Sequence, residues 1–246
     1  MADDGERPIA SAWTRSRKRR EQPALSREQI VAEAVRLLDG EGLDALSMRR
    51  LGGRLNAGAT SLYRHVANRD ELLELVVDEV YGEIEVPQAD APGEWRGAAA
   101  VCAGSIRSVV LRHPWIAPLI GEIGMAYLGP NVMRLHEGML ALFEAGGFGP
   151  VDADGALNTL VAFVLGSASS EAAWKTTVAR SGIGEDEWHR RLRPAAEEAA
   201  RPYRRLHARY IADGKEDPAQ VRDASFDYGL QRVLDGLEVR LGRAGD

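Results

Sequence analysis

The side chains best suited to chemistry lie between positions 47 and 69, and their types suit contact with a nucleic acid. Thr60 and Arg64 are four residues apart, so both lie on one side of a predicted helix and could reach the edges of DNA bases. Arg69 begins the next predicted helix, where its positive charge opposes the helix dipole unless an anion docks there. The short or amphipathic donors suited to phosphate oxygens are Ser61, Tyr63 and His65.

Two short predicted helices, 47–55 and 59–66, must position these side chains. Ser47 is the expected N-cap of the first helix, and only positions 56–58 separate it from the second. A connection this short makes the helices cross steeply, and Asn or Gly tolerates the left-handed backbone that such a turn needs. The glycine pair at 52–53 costs helix stability, but a small residue there lets the two backbones approach closely.

Longer predicted helices flank this pair. Ser26 and Gln29 have capping-box spacing at the start of one helix, and Asn68 is the expected N-cap of the other. Period-two alternation is rare along the chain, so strands are not expected. We therefore predict an all-α fold, with a three-helix helix-turn-helix head at 24–84 and a larger helical domain at 94–242.

The larger domain divides into helices at glycine and proline positions. Pro194 and Pro202 both fall inside one predicted helix, which we expect to be kinked or split. The predicted helices are 94–112, 130–145, 152–176, 188–208 and 224–242.

Charge is distributed unevenly along the 246 residues, whose formal net charge is −6. Positions 15–69 carry 12 Lys or Arg against six Asp or Glu, whereas positions 70–246 carry 18 against 28. A basic head on an acidic body predicts two parts with different partners. Positions 1–23 are predicted to be a disordered basic arm, which is either a solvated tail or a segment that contacts DNA.

Several other functional classes find no support in the residues. Cys102 is the only cysteine, so no internal disulfide is possible, and its apolar neighbours predict a buried structural thiol. The five histidines lack metal-ligand spacing, and no nucleophile elbow or nucleotide-binding loop occurs. We therefore expect no catalytic residue, no metal and no cofactor. No apolar run is long enough for a membrane span, so we expect no membrane partner and a cytoplasmic location.

Three segments of the head resemble the TetR-type helix-turn-helix domain: 25–34, 46–51 and 61–66, followed by Asn68-Arg69-Asp70-Glu71-Leu72-Leu73. The resemblance covers about 24–84 and implies a homodimeric transcriptional regulator, usually a repressor, that a small ligand releases from its operator. Asn56 and Met48 depart from the family pattern, at the turn and at one expected phosphate contact. The residues implied to contact DNA are Ser47, Arg49, Thr60, Ser61, Tyr63, Arg64, His65 and Arg69.

The body also resembles the tetracycline-repressor-like C-terminal domain, through Arg112-His113-Pro114-Trp115 and the segment 226–237. That resemblance implies that the helices at 152–176 and 224–242 pair with their mates in a four-helix dimer interface. The apolar stripes of these two helices suit such an interface, but an ordinary core within one chain is the open alternative.

A ligand pocket is expected inside the body, although aromatic and Met residues at helical spacing are more often core. The subgroup's namesake binds its drug with magnesium through a histidine, and the matching stretch 116–121 has none, which favours an apolar or aromatic effector. The candidate lining residues are Trp115, Met125, Tyr127, Met133, His136, Met139, Phe163 and Trp174.

These observations lead to one preferred hypothesis and two rivals. The preferred hypothesis is a ligand-responsive regulator that binds a palindromic DNA operator as a homodimer. The main alternative is a helical small-molecule-binding protein whose head no longer binds DNA. A helical enzyme, which would turn the ligand over, is the third.

Overall fold

The computed structural model describes residues 25–89, 91–119, 128–212 and 217–244. Over those ranges the chain forms α-helices, with two short 3-10 segments and no strand, so the predicted all-α fold is confirmed. The arm predicted at 1–23 lies outside the described residues, as do the candidate pocket residues Met125 and Tyr127.

The head contains four helices. They are α1 (Arg27–Glu41), α2 (Met48–Arg54), α3 (Ala59–Leu62) and α4 (Arg69–Tyr81), with a 3-10 turn at Leu43–Ala45.

Six further helices lie in the described part of the body. They are α5 (Trp95–Arg112), α6 (Pro130–Ala145), α7 (Pro150–Ser181), α8 (Glu185–Ala200), α9 (Arg204–Ala212) and α10 (Pro218–Ala244), with a 3-10 turn at Pro114–Leu119.

The predicted N-caps of the head are confirmed. The side chain of Ser26 accepts from the backbone N–H of Gln29 at 3.2 Å, and Gln29 Oε1 accepts in return from the backbone of Ser26 at 3.1 Å. Ser47 accepts from the backbone N–H of Arg50 at 3.2 Å and begins α2. Asn68 caps α4 in the same way. Each cap satisfies a backbone donor that the first helical turn leaves free, which is why local sequence locates these helix starts.

Several helix bounds differ from the prediction. The third head helix ends at Leu62 and not at 66, because the chain then tightens into a turn in which His65 N–H bonds to the Leu62 carbonyl. The predicted 188–208 helix is split beside Pro202 into α8 and α9, whereas Pro194 lies inside α8. Both α7 and α10 begin at a proline, Pro150 and Pro218, earlier than predicted, since proline suits the first turn of a helix.

One continuous apolar core joins the head to the body. In the head α1 packs against α4 and α2, and α4 also packs against α6 of the body. Within the body α7 is central and packs against α5, α6 and α10. Cys102 lies fully buried in this core, and burial raises the pKa of its thiol to about 12. The head therefore rests on the body through α4, which packs on α6, and through α1, which packs on the 3-10 turn at Pro114–Leu119.

Candidate nucleic-acid interface and effector cavity

The turn between α2 and α3 sets the crossing angle of the two helices. Asn56 has φ of 50°, a left-handed conformation that asparagine tolerates, as predicted. A Cβ on Gly52 would lie 2.7 Å from the carbonyl oxygen of Ala57, so only glycine permits this close approach. Gly53 faces open space, and the predicted packing role therefore applies to Gly52 alone.

The side chains predicted to contact DNA are exposed or half-buried at the surface of the head. Leu62 and Val66 turn inward and are buried. Tyr63 is 52% exposed, and Thr60 and Arg64 are also exposed, so all three face solvent. The half-buried residues beside them are Ser61 and His65.

Ion pairing sorts the arginines of α2 into two groups. Arg54 Nε lies 2.6 Å from a carboxylate oxygen of Glu33, and Arg50 pairs with Glu41. The hydrogen bond from Arg54 lowers the pKa of Glu33 against the opposing effect of burial, so the carboxylate stays ionised and Arg54 stays paired. These two cations are thus neutralised within the head.

Arg49 and Arg64 form the other group. Both are exposed, and across the described ranges neither forms a hydrogen bond or an ion pair. A guanidinium without a protein partner keeps all its donors for phosphate or for a guanine edge. The sequence shows five arginines between 49 and 69, and only the ion pairs separate the free ones from the rest.

Arg69 has an internal role that the sequence did not reveal, whereas Ser47 has the capping role that the sequence predicted. Arg69 donates from Nε to the carbonyl of Leu46 at 3.1 Å and from an Nη to that of Leu43 at 3.4 Å. These carbonyls offset the unfavourable position of the cation at the start of α4, so no bound anion is needed to explain it. Ser47 likewise uses its hydroxyl oxygen as the N-cap of α2. Both residues remain exposed with donors to spare.

A cavity of about 260 Å³ lies in the body between the end of α4 and helices α5, α6 and α7. Its walls are mainly apolar, and its polar groups come from Tyr81, His136 and Asn158. His136 Nδ1 lies 3.0 Å from the carbonyl of Val132, which can only accept, so Nδ1 donates this hydrogen bond and Nε2 of the neutral imidazole can accept one. Burial raises the pKa of Tyr81 to about 12, which keeps the phenol a neutral donor. The apolar lining residues are Ile84, Ile106, Leu135, Met139, Leu157, Val161, Ala162 and Leu165.

Of the pocket residues predicted from sequence, His136 and Met139 line this cavity and four others lie elsewhere. Trp115 donates from its indole N–H to Asp39 at 2.7 Å, at the junction of head and body. Met133 is 42% exposed on α6. Phe163 stacks on Phe226 between α7 and α10, and Trp174 donates to Glu185 near the far end of α7. Residue type and spacing made these side chains candidates for the core or a pocket but could not show which of them face the cavity.

Tyr81 and Asn158 line the cavity but were not among the pocket residues predicted from the sequence, for a similar reason. Tyr81 continues the apolar stripe of α4 and resembles a core residue, and Asn158 is one of many polar residues on α7. No signal in the sequence separates them from their neighbours.

The predicted interface stripes of α7 and α10 are largely used within the chain. Phe226, Leu230 and Leu234 of α10 are buried, as are Leu160 and Val164 of α7, and the two helices pack on each other. The open alternative of an intrachain core therefore holds for these faces. Exposed apolar residues remain on the outer side of the pair: Val151, Tyr228 and Val239.

A helix-turn-helix head with free arginines, joined to a helical body with an apolar cavity, defines a DNA-binding regulator of the kind that senses a ligand in the same chain. Residues 30–76 match the family model for bacterial regulatory proteins of the tetR family, and residues 86–241 match the tetracyclin repressor-like C-terminal domain. The chain belongs to the TetR family of transcriptional regulators. The predicted function, a ligand-responsive DNA-binding regulator, is confirmed at this level.

Relatives from actinomycetes are similar over nearly the whole chain. An HTH-type transcriptional regulator of Saccharopolyspora erythraea is 36% identical over 236 residues, which cover 94% of this chain and 93% of the relative. The HTH-type transcriptional repressor DrrR1 of Streptomyces coeruleorubidus is 32% identical and covers 95% and 85% respectively. ActR of Streptomyces coelicolor in complex with actinorhodin superposes with a TM-score of 0.74 at 33% identity, covering 90% of this chain and 99% of ActR.

Two further features bear on partners. No helix in the described ranges is long and apolar enough to cross a membrane. Within the same ranges no group of three His, Cys, Asp or Glu side chains is arranged to hold a metal ion.

Proposed function

We propose that this chain is a dimeric repressor that binds a palindromic operator through 24–84 and releases it when a small apolar or aromatic molecule binds in 94–242. The observation that carries the proposal is the pair of free guanidinium groups, Arg49 and Arg64, on the exposed side of the helix-turn-helix. Arg50 and Arg54 are paired with carboxylates, whereas Arg49 and Arg64 keep their charge and all their donors for DNA.

The roles of the DNA-facing residues follow from their positions. Arg49, Thr60 and Arg64 are exposed and carry polar groups that can bond to bases, so we assign them to base edges. Ser61, Tyr63 and His65 lie beside them and suit phosphate oxygens. The remaining donors of Ser47 and Arg69, at the starts of α2 and α4, add phosphate contacts at the edge of the same surface.

The effector is inferred from the cavity. Its volume of about 260 Å³ lies just below the usual range of ligand pockets, so we infer a ligand with a compact ring system. Its apolar walls favour a ring skeleton, and the Tyr81 hydroxyl and His136 Nε2 supply one donor and one acceptor for oxygen substituents. The crystal structure of ActR with actinorhodin supports a small-molecule effector for a protein of this fold.

Two observations support a dimer: the family to which the chain belongs, and the apolar side chains that remain exposed on α7 and α10. TetR-family proteins are dimeric, and exposed apolar side chains such as Tyr228 remain on this side of the helix pair. A two-fold dimer presents two identical reading heads, so its operator should contain two inverted half-sites about one helical turn apart or more. We expect a regulator that binds operator DNA in this way to act in the cytoplasm. We also expect it to bind its effector without changing it chemically.

The proposal is tested by selecting duplexes from a random library with the wild-type protein and measuring affinities for the enriched sequence. Arg64→Ala should weaken specific binding by about 1–3 kcal/mol for a lost base contact. Arg50→Ala is the matched control. Because Arg50 is already paired with Glu41, its replacement should leave the affinity for DNA nearly unchanged.

Two results would contradict the proposal. If no palindromic duplex is enriched at low salt, the head does not bind DNA specifically. If Arg64→Ala binds the enriched duplex as tightly as the wild type, the alternative of a ligand-binding protein with a non-functional head gains support.

A further inference from the structure

The hydroxyl of Tyr81 is a donor at the cavity wall that has no partner in the described part of the chain. Tyr81 lies at the end of α4, is 7% exposed and lines the cavity. Across the described ranges its hydroxyl forms no hydrogen bond. The hydroxyl oxygen is also not one of the polar atoms that the protein encloses on all sides, so it borders the cavity. Polar groups buried to this extent normally have a partner, and a molecule in the cavity can provide it.

His136 supplies the complementary group from α6. Because its Nδ1 donates to the carbonyl of Val132, Nε2 of the neutral imidazole is an acceptor. Nε2 also forms no hydrogen bond within the described ranges, so it is not paired with the Tyr81 hydroxyl. The third polar residue, Asn158, is exposed, and its amide already donates to Asp154 at 3.1 Å. The cavity therefore presents one buried donor and one half-buried acceptor, on two different helices.

The cavity wall carries no permanent charge. None of the described residues that line it is Lys, Arg, Asp or Glu. Burial is the cause of the raised pKa of Tyr81, with no contribution from a charged neighbour. A carboxylate or an ammonium group enclosed in such a site would lose its hydration without gaining an opposite charge. The cavity thus favours an uncharged molecule.

We propose that the effector is an uncharged aromatic ketone or quinone that also carries a free hydroxyl group. Its carbonyl accepts from the Tyr81 hydroxyl, and its hydroxyl donates to His136 Nε2. This inference rests on the function proposed above, in which the cavity receives the effector. Tyr81 and His136 are then specificity-determining residues, because a hydrocarbon leaves both unpaired and an O-methylated analogue leaves His136 unpaired.

The test uses a matched set of small bicyclic compounds. The probes are 6-hydroxy-1-tetralone and its 7-hydroxy isomer, which place the carbonyl and the hydroxyl at different separations. The methoxy analogue of each lacks the donor, 6-hydroxytetralin lacks the carbonyl, and 6-hydroxy-2-naphthoate carries a charge. Isothermal titration calorimetry at pH 7 measures binding to the full chain. Val161→Phe, which adds a larger side chain to the cavity wall on α7, identifies binding outside the cavity.

The wild type should bind at least one hydroxytetralone about tenfold more tightly than its methoxy analogue and than 6-hydroxytetralin, the effect of one hydrogen bond. The naphthoate should bind more weakly still, and Val161→Phe should bind none of the compounds. Tyr81→Phe should remove the preference for the carbonyl and keep the preference for the hydroxyl, whereas His136→Leu should do the reverse. Tyr203→Phe is the matched control, because this tyrosine is 64% exposed and lies outside the cavity wall, and it should keep both preferences.

Tyr81→Phe also provides a measurement that needs no ligand. Because the hydroxyl has no partner within the described ranges, its removal should leave the urea midpoint of the free protein unchanged or raised. A lowered midpoint would show that the hydroxyl serves the fold, and it would overturn the assignment of this group to the ligand.

The possible failures are distinguishable. If the hydroxy and methoxy compounds bind equally, or if Tyr81→Phe keeps the preference for the carbonyl, the ligand class is wrong and the apolar effector site stands. If the naphthoate binds most tightly, the cavity receives an anion beside a protonated His136, and the class is again wrong. Absence of binding, or binding that persists in Val161→Phe, overturns the class as well. Enrichment of a palindromic duplex by the wild type uses none of these compounds, so it shows separately whether the proposed DNA-binding function holds.

Discussion

Removing the Asp39 carboxylate should loosen the junction between head and body. One oxygen of Asp39, near the end of α1, lies 2.6 Å from His113 Nδ1 and accepts from the indole N–H of Trp115 at 2.7 Å. His113 is 4% exposed and Trp115 is 5% exposed, so both donors depend on a protein acceptor. Asp39→Ala removes the acceptor of both.

The magnitude follows from those two hydrogen bonds. A buried donor left without an acceptor costs about 1–3 kcal/mol, which gives an upper range of about 2–6 kcal/mol for two donors. The Asp39 side chain is 33% exposed, so water can enter the vacated space and replace part of what is lost. His113 also keeps Glu83 near its other ring nitrogen, at 3.3 Å. We therefore expect a loss of about 2–3 kcal/mol in the free energy of unfolding.

Urea unfolding of the full chain measures this loss, with an unchanged m-value as the sign that only stability has changed. Asp39→Asn keeps an acceptor oxygen and should cost less than about 1 kcal/mol. Asp44→Ala, an exposed acidic residue of the same head, is the control and should stay within about 0.5 kcal/mol of the wild type. If Asp39→Ala is no less stable than Asp44→Ala, the junction does not depend on these hydrogen bonds and the argument fails.

Three further predictions follow from burial and close contact. Gly52→Ala should destabilise the protein by about 1–3 kcal/mol in urea, because its Cβ would crowd a backbone carbonyl, whereas Gly53→Ala, which faces open space, should be neutral or stabilising. Burial opposes ionisation of Glu171, but hydrogen bonds from Arg107 outweigh it and lower the pKa of Glu171. The ionised Glu171 carboxylate stabilises the folded protein at any pH above the pKa that Glu171 has in the unfolded chain. This stabilisation is lost as the pH falls through the lower pKa of Glu171 in the folded protein. The melting temperature of Glu171→Gln should therefore fall less steeply than that of the wild type between about pH 5 and 3. Cys102, whose pKa burial raises to about 12, should react with a thiol reagent at pH 7.5 only after denaturation, and prompt reaction of the folded protein would contradict its burial.

The starts of the head helices were predictable because their signals are local. The caps at Ser26, Ser47 and Asn68 each involve a residue only three positions away, so the residues that form the bond are visible together in the sequence. The left-handed turn at Asn56 is a property of one residue and its neighbours, and it was predictable for the same reason. Helix ends were less predictable, as the early end of α3 shows, because tertiary packing competes with weak local signals there.

The roles of individual cations were not predictable. Arg49, Arg50 and Arg54 stand close together in one short helix and look equivalent in sequence. Arg54 pairs with Glu33 across 21 residues and Arg50 pairs with Glu41 across nine, whereas Arg49 faces solvent. Only the packing of α2 against α1 decides which carboxylate each guanidinium can reach.

The residues that line the cavity were even less predictable from the sequence than the roles of the arginines. Its walls combine residues from 81 to 165, and helical periodicity reports that a residue is buried without reporting which neighbours surround it. Phe163 and Leu165 are two residues apart on α7, yet Phe163 stacks on α10 and Leu165 lines the cavity. Successive residues of a helix point about 100° apart, so such a distinction depends on where the neighbouring helices lie.

The sequence by itself determined that this protein is all-α, where the head helices begin, and which polar residues of the helix-turn-helix are candidates for DNA contact. Those properties depend on residue types and on spacings of three or four positions, which a helix converts directly into a common face. The tertiary structure alone decided which arginines are free, where the cavity lies and how α4 is held against α6. These depend on contacts between residues from 9 to 76 positions apart, such as Arg50 with Glu41, Asp39 with Trp115 and Asp78 with Asn131, and such contacts exist only once the helices have packed.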